Sequence, residues 1–275
     1  MRPLGSTGPW AAGRITPRAT AVLAANPSWM TLDGTNSWLL CEPGSRAAIL
    51  VDPGPDDPAH LERVVDVAAE QDARITRILL THGHPDHADG AVRLHEMTGA
   101  PVQALDPGHR LGTEGVVEGD VLEVGGLRLD VVATPGHTAD SLTFVLPADA
   151  ALLTGDTILG RGSAVIAHPD GHLGAYLASL ARLADVADRV GAQWVLPGHG
   201  PACPDPAGLI ADYVAHRRER LAAVEQAVQA GITDPEALLA RAYPDVPPPL
   251  HWAARLSLAA QVEFLTDRAE PLTAG

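Results

Sequence analysis

In Leu79-Leu80-Thr81-His82-Gly83-His84-Pro85-Asp86-His87-Ala88-Asp89-Gly90 an apolar run ends at Thr81, and four side chains able to ligate a metal follow: His82, His84, Asp86 and His87. His82 and His84 are two positions apart, so an extended backbone points both to the same side. Asp86 and His87 fall where the chain turns into the next helix, near enough to bind a second ion beside the first. With only 12 His in 275 residues, three of them in so short a window are not a chance polar loop.

Three later segments repeat the design of an apolar strand followed by a ligand-type residue in a glycine-containing turn. Val131-Val132-Ala133-Thr134-Pro135-Gly136-His137-Thr138 supplies His137, Leu152-Leu153-Thr154-Gly155-Asp156-Thr157 supplies Asp156, and Trp194-Val195-Leu196-Pro197-Gly198-His199-Gly200 supplies His199. Glycines let such loops approach closely, and strand ends hold ligands rigidly.

Between Thr20 and Leu153 short apolar runs alternate with helical periodicity, the pattern of a layered α/β domain. The sequence predicts strands at Ala21 to Ala24, Ser37 to Cys41, Ala48 to Val51, Ile75 to Thr81, Pro101 to Ala104, Val121 to Val124, Leu127 to Thr134, Leu142 to Val145 and Ala150 to Thr154. Helices are predicted from Ala59 to Glu70, Ala88 to Met97 and Gly174 to Ala187. Beyond the proline-rich break at Pro201 to Pro206 only helical periodicity remains: Leu209 to Ala230, Pro235 to Ala242 and Leu250 to Asp267. Thr233-Asp234-Pro235-Glu236 reads as a capping box with a proline in the first turn. The expected organisation is a loose leader over residues 1–19, a main domain over 20–205 and a small helical domain over 206–275.

The formal charge is −15, from 19 arginines and no lysine against 34 acids. Such a balance disfavours broad adhesion to nucleic acid or to anionic membrane. No apolar run is long enough to span a bilayer. The two cysteines, Cys41 and Cys203, cannot form a disulfide framework, so a reducing, cytoplasmic setting is expected.

The order of these segments resembles the five-motif signature of the metallo-β-lactamase fold superfamily, H-x-H-x-D-H followed by His, Asp and His. The earlier Val51-Asp52-Pro53-Gly54 is similar to that family's first motif, an Asp that ends a strand. The resemblance implies an αββα sandwich carrying a two-metal site. His82, His84 and His137 would hold one ion, and Asp86, His87 and His199 the other, with Asp156 bridging. Asp52, and Asn36 with it, would orient ligands from behind. A ligand set without thiolate suits two Zn²⁺, with Fe or Mn as substitutes. The implied activity is hydrolysis by a metal-bridging hydroxide, in which Asp86, His87 and Asp156 are the catalytic set.

Further stretches are similar to the β-lactamase-like protein 2 family: Asn26-Pro27, Thr31 to Asn36, Gly155 to Gly160, Pro197 to Pro201 and Tyr213-Val214-Ala215-His216-Arg217. That resemblance implies a winged-helix-like C-terminal domain and endonucleolytic cleavage of single-stranded RNA. The tail argues otherwise, since from Asp205 onward it holds six arginines against ten acids, whereas a nucleic-acid reader is basic on one face. Three readings follow: a single-stranded RNA nuclease, a small-molecule thioesterase or lactonase, and a non-catalytic module that keeps metal for stability. The last has no use for a second ion. His168, His172 and Arg217 are candidates for the substrate cleft. The reading of Arg217, Arg218 and Arg220 divides between a phosphate contact and a solvated helix face; His60, His95 and His109 are expected to be solvated.

Overall fold

The structure, a computed structural model, describes residues 4–5 and 10–269. The first sheet runs β1 (Gly13–Arg14), β2 (Ala19–Leu23), β3 (Asn36–Cys41), β4 (Ala47–Val51), β5 (Arg74–Leu79) and β6 (Val102–Gln103), in that spatial order. The second holds β7 (Val121–Val124), β8 (Leu127–Ala133), β9 (Leu142–Leu146), β10 (Ala151–Gly155), β11 (Trp194–Pro197) and β12 (Cys203–Pro204), again neighbour by neighbour. Pairs β4/β5, β5/β6 and β10/β11 are parallel and the others antiparallel.

Alternation along the strands builds three layers of core. In β3 and β4, Trp38, Leu40, Ile49 and Val51 face the second sheet, while Leu39, Cys41, Ala48 and Leu50 face outward. The outward set is covered by α1 (Pro58–Ala69) and, past the short α2 (Pro85–Ala88), by α3 (Ala91–Thr98). The second sheet does the same: Leu142, Phe144 and Leu153 enter the space between the sheets, and Val145, Leu152 and Val195 meet α4 (Leu173–Val190) and α5 (Pro206–Gln229). The expected αββα sandwich is therefore observed. Helix α1 starts where Asp57 accepts the Ala59 N–H at 3.0 Å with Pro58 in the first turn, a local arrangement that fixes φ and satisfies an end donor.

The tail is three helices, α5, α6 (Pro235–Ala242) and α7 (His251–Ala269), around Val224, Leu238, Leu239 and Leu258. No strand follows β12 among the described residues. The expected C-terminal helices are thus present, without the strands of a wing among the described residues. α5 begins at the boundary expected at 205/206, and its first half packs Leu209, Ile210 and Tyr213 into the core of the second sheet.

The expected leader is not loose where it is described. Residues 13–14 pair with β2, Trp10 Nε1 donates to Asn36 Oδ1 at 2.8 Å, and Gly5 bridges to Arg161. Residues 1–3 and 6–9 of it lie outside the described ones. Among the described residues no helix is long and apolar enough to cross a membrane.

Candidate metal centre

Five candidate ligands stand shortly past the end of a strand and two, Asp86 and His87, lie in the short α2, and all of them meet along one edge of the sandwich. β5 delivers His82 and His84, and α2 turns Asp86 and His87 back beside them. β8, β10 and β11 deliver His137, Asp156 and His199 from the other sheet. Three groups have donor atoms within 4.8 Å of one another: His82/His84/His137, His82/His87/Asp156 and Asp86/His87/His199. All seven residues singled out from the sequence are therefore brought together.

Partners behind the rings decide which nitrogen faces inward. His87 Nδ1 lies 2.8 Å from Asp52 Oδ2, His137 Nδ1 2.7 Å from the Val165 carbonyl and His199 Nδ1 3.2 Å from the Gly34 carbonyl. Those oxygens only accept, so each Nδ1 carries a hydrogen and each Nε2 is the atom turned into the cluster. Thr81 Oγ1 donates to Asp52 Oδ2 at 2.7 Å and so accepts from His82 Nδ1 at 3.0 Å, which leaves the His82 Nε2 lone pair inward as well.

The inward atoms then face one another. His87 Nε2 and His199 Nε2 are 3.1 Å apart, and His84 Nδ1 lies 3.0 Å from His82 Nε2 and 3.1 Å from His137 Nε2. At such separations each pair of nitrogens needs a proton or a metal cation between them. Asp156 Oδ1 is buried without a hydrogen-bond partner, a costly state for a carboxylate oxygen. Its other oxygen lies 3.3 Å from His199 Nε2 and 3.7 Å from His137 Nε2. The donor set fits a divalent metal.

The electrostatics carry the same demand. Burial opposes charge on His199, but the adjoining Asp156 and Asp86 outweigh it and push its pKa up to about 9. Burial likewise opposes charge on His87, which Asp156 and Asp52 nevertheless raise well above the ordinary imidazole value. His82, buried and beside His87 and His137, is held well below it. Burial works against ionised Asp156, yet His199 and His87 hold its pKa well below the usual carboxylate range.

Asp52 anchors the cluster from behind. Its φ is +55° and its carboxylate takes the Thr81 N–H and Oγ1–H, both at 2.7 Å, besides the His87 ring. Asn36 acts through backbone rather than through a ligand: Nδ2 donates to the Pro197 carbonyl at 3.0 Å and the Gly200 carbonyl at 2.8 Å, on either side of His199. At Gly198 a Cβ would stand 2.5 Å from Asp156 Oδ1 and 2.6 Å from His87 Cε1, so only glycine fits there.

Beside Asp156 opens a cavity of about 520 Å³, walled by Leu32, Leu159, Val165, Val246 and Leu250 among others and reaching His216 and Arg217 on α5. The other cleft candidates lie elsewhere. His168 Nδ1 pairs with Glu263 Oε2 at 3.0 Å, and His172 caps α4 by accepting the Ala175 N–H at 3.0 Å; neither lines the cavity. Arg217 and Arg220 do not lie on a solvated face. Both are buried, over the rings of Tyr176 and Tyr243, and Arg220 is bidentate to Asp245 at 2.7 Å. His60, expected to be solvated, is buried against Ser37 Oγ at 2.8 Å. Sequence reasoning misses Thr81 and Tyr213; the signal for Thr81 is its place between the end of β5 and His82.

A family model described as "Metallo-beta-lactamase superfamily" matches residues 30–199. The chain is 35% identical over 222 residues to an atrochrysone carboxyl ACP thioesterase of Aspergillus chevalieri, covering 79% of this chain and 67% of that one. It is 34% identical over 222 residues to a beta-lactamase-like protein 2 homolog of Drosophila melanogaster, covering 75% and 72%. A solved structure of a metallo-beta-lactamase family protein from Thermus thermophilus superposes with a TM-score of 0.73 at 25% identity, over 92% of this chain and 94% of the other.

Proposed function

This chain belongs to the metallo-β-lactamase superfamily, and on that premise we propose that it is a dinuclear metal hydrolase acting on acyl thioesters. His82, His84 and His137 would hold one ion and Asp86, His87 and His199 the other, with Asp156 shared; imidazole and carboxylate suit zinc, and iron or manganese can take the same set. When bound, the two dications supply an acidified water and neutralise charge developing on oxygen.

The chain's own residues supply the rest. Asp52, the Val165 carbonyl and the Gly34 carbonyl hold three imidazoles in one tautomer, so nothing has to reorganise as charge develops. Water adds to the thioester carbon, the C–S bond breaks, and the acid and thiol leave. Asp86, 30% exposed against 12% for Asp156, is the carboxylate able to pass the water's proton to solvent. Apolar walls beside Asp156 exclude bulk water from the acyl group.

The observation that carries this reading is the cavity, whose mostly apolar lining reaches Asp156 and is of a size that takes a small organic ligand. The kinship with a named ACP thioesterase supports it. The single-stranded RNA reading loses support, because two of the three arginines it relied on are buried in internal contacts. The test is turnover by metal-loaded protein of octanoyl thioester, octanoyl lactone and a single-stranded oligoribonucleotide side by side. Thioester hydrolysis that chelation abolishes is expected. RNA cleavage without thioester hydrolysis would reverse the assignment.

A further inference from the structure

Arg217 and Arg220 stand three positions apart on α5 and both line the cavity beside Asp156, yet they are used differently. Arg220 has its counter-ion, with two bonds of 2.7 Å to Asp245, another of 2.6 Å to the Ala242 carbonyl and the Tyr243 ring beneath, although its Nε–H finds no acceptor. Arg217 is 4% exposed, donates through Nη2 to the Ala164 carbonyl and lies 4.9 Å over the Tyr176 ring. Among the described residues no carboxylate pairs with it, and its Nε–H has no acceptor. A buried guanidinium with five N–H donors and one acceptor is a charge without its counter-ion. Next to it His216, whose buried Nδ1 is also unpartnered, is kept neutral by burial and by the two arginines, which push its pKa down to about 4.

The position of this cation relative to the metal cluster is set by one loop. Tyr176, under the Arg217 guanidinium, donates its hydroxyl to the Thr157 carbonyl, one residue past Asp156. The Ala164 carbonyl that binds Arg217 adjoins the Val165 carbonyl that binds His137. A molecule with its reacting group at the cluster therefore extends through apolar surroundings toward Arg217.

We infer that Arg217, assisted by His216, binds a carboxylate on the substrate's acyl chain, so that the enzyme selects carboxyacyl over plain acyl thioesters. This rests on the thioesterase reading for the reaction, while the anion site itself stands on Arg217. In water such a contact is weak; in an apolar cavity a charge-assisted bidentate bond is among the stronger ones available.

The probes are 6-(methylthio)hexanoate and its uncharged amide, thioethers that cannot be hydrolysed, titrated calorimetrically into the metal-loaded full chain with inorganic phosphate as a third ligand. The carboxylate is expected to bind about tenfold or more tightly than the amide, and Arg217→Met to erase that difference. Equal binding of the two probes, a preference that survives Arg217→Met, or phosphate displacing the carboxylate at lower concentration would each overturn the assignment. If Arg217→Met does not fold by circular dichroism, Arg217→Lys decides: charge without the planar fork should cut the preference about threefold or more, and an unchanged preference overturns the inference. In parallel, kcat/KM is compared for adipyl and hexanoyl thioesters. Arg217-dependent carboxylate binding without thioester turnover would sink the thioesterase reading and leave the site standing; turnover without such binding would do the reverse.

Discussion

His199 concentrates the conflict that runs through the metal cluster. Buried as it is, it accepts a proton only because Asp156 and Asp86 surround it, and a metal ion must displace that proton. Metal affinity at its site should therefore weaken as the pH falls below about 9, and loading at neutral pH should release protons measurable in a weakly buffered titration. Stability of the metal-free protein has the matching sign. A folded pKa raised from the ordinary 6.5 to about 9 contributes stability that is complete below the lower value and lost as pH climbs through the upper one. Denaturant midpoints of chelated protein should accordingly fall between those limits, and a midpoint that rises there would contradict the arrangement. Asp156→Ala should lower the second metal equivalent more than the first in elemental analysis. Asp52→Asn leaves Thr81 or His87 facing an amide donor and should cost about 2 kcal/mol or more in chemical denaturation, since hydrogen bonds to a charged acceptor are among the larger ones.

At the scale of elements, the turn after β11 is the most constrained. Gly198→Ala would drive a methyl against Asp156 and His87; a folded protein with most of its metal lost is expected from circular dichroism and metal analysis together. α5 couples tail to site through Tyr213, whose hydroxyl accepts the Leu159 N–H and donates to the Gly162 carbonyl, both at 2.8 Å. Tyr213→Phe should cost about 1–2 kcal/mol by leaving a buried amide unpaired. Ligand motifs were legible because each is local: His82 and His84 at a two-residue spacing, His137 and His199 after a Pro-Gly pair. The core strands were legible from alternation. What stayed hidden depends on distant partners. Arg220 reads as a solvated arginine until Asp245 is placed against it, 25 positions away, and His60 as a surface residue until Ser37 meets it. β1 and β12, two residues each, have no periodicity to read.

For the molecule as a whole, a net charge of −15, with Arg217 and Arg220 buried in internal contacts, leaves little to attract a polyanion. Thioester kcat/KM should change less than about threefold between low and high salt, whereas RNA binding through three arginines would fall with a slope of about −0.7 per contact. The metal cluster draws its ligands from both sheets, and this sets a timetable for synthesis. A ribosome delivers His82, His84, Asp86 and His87 almost at once, but His199 follows His87 by 112 positions. A nascent chain thus holds four of the seven candidate ligands, on a first sheet already complete at Gln103, long before the second sheet brings His199 to them.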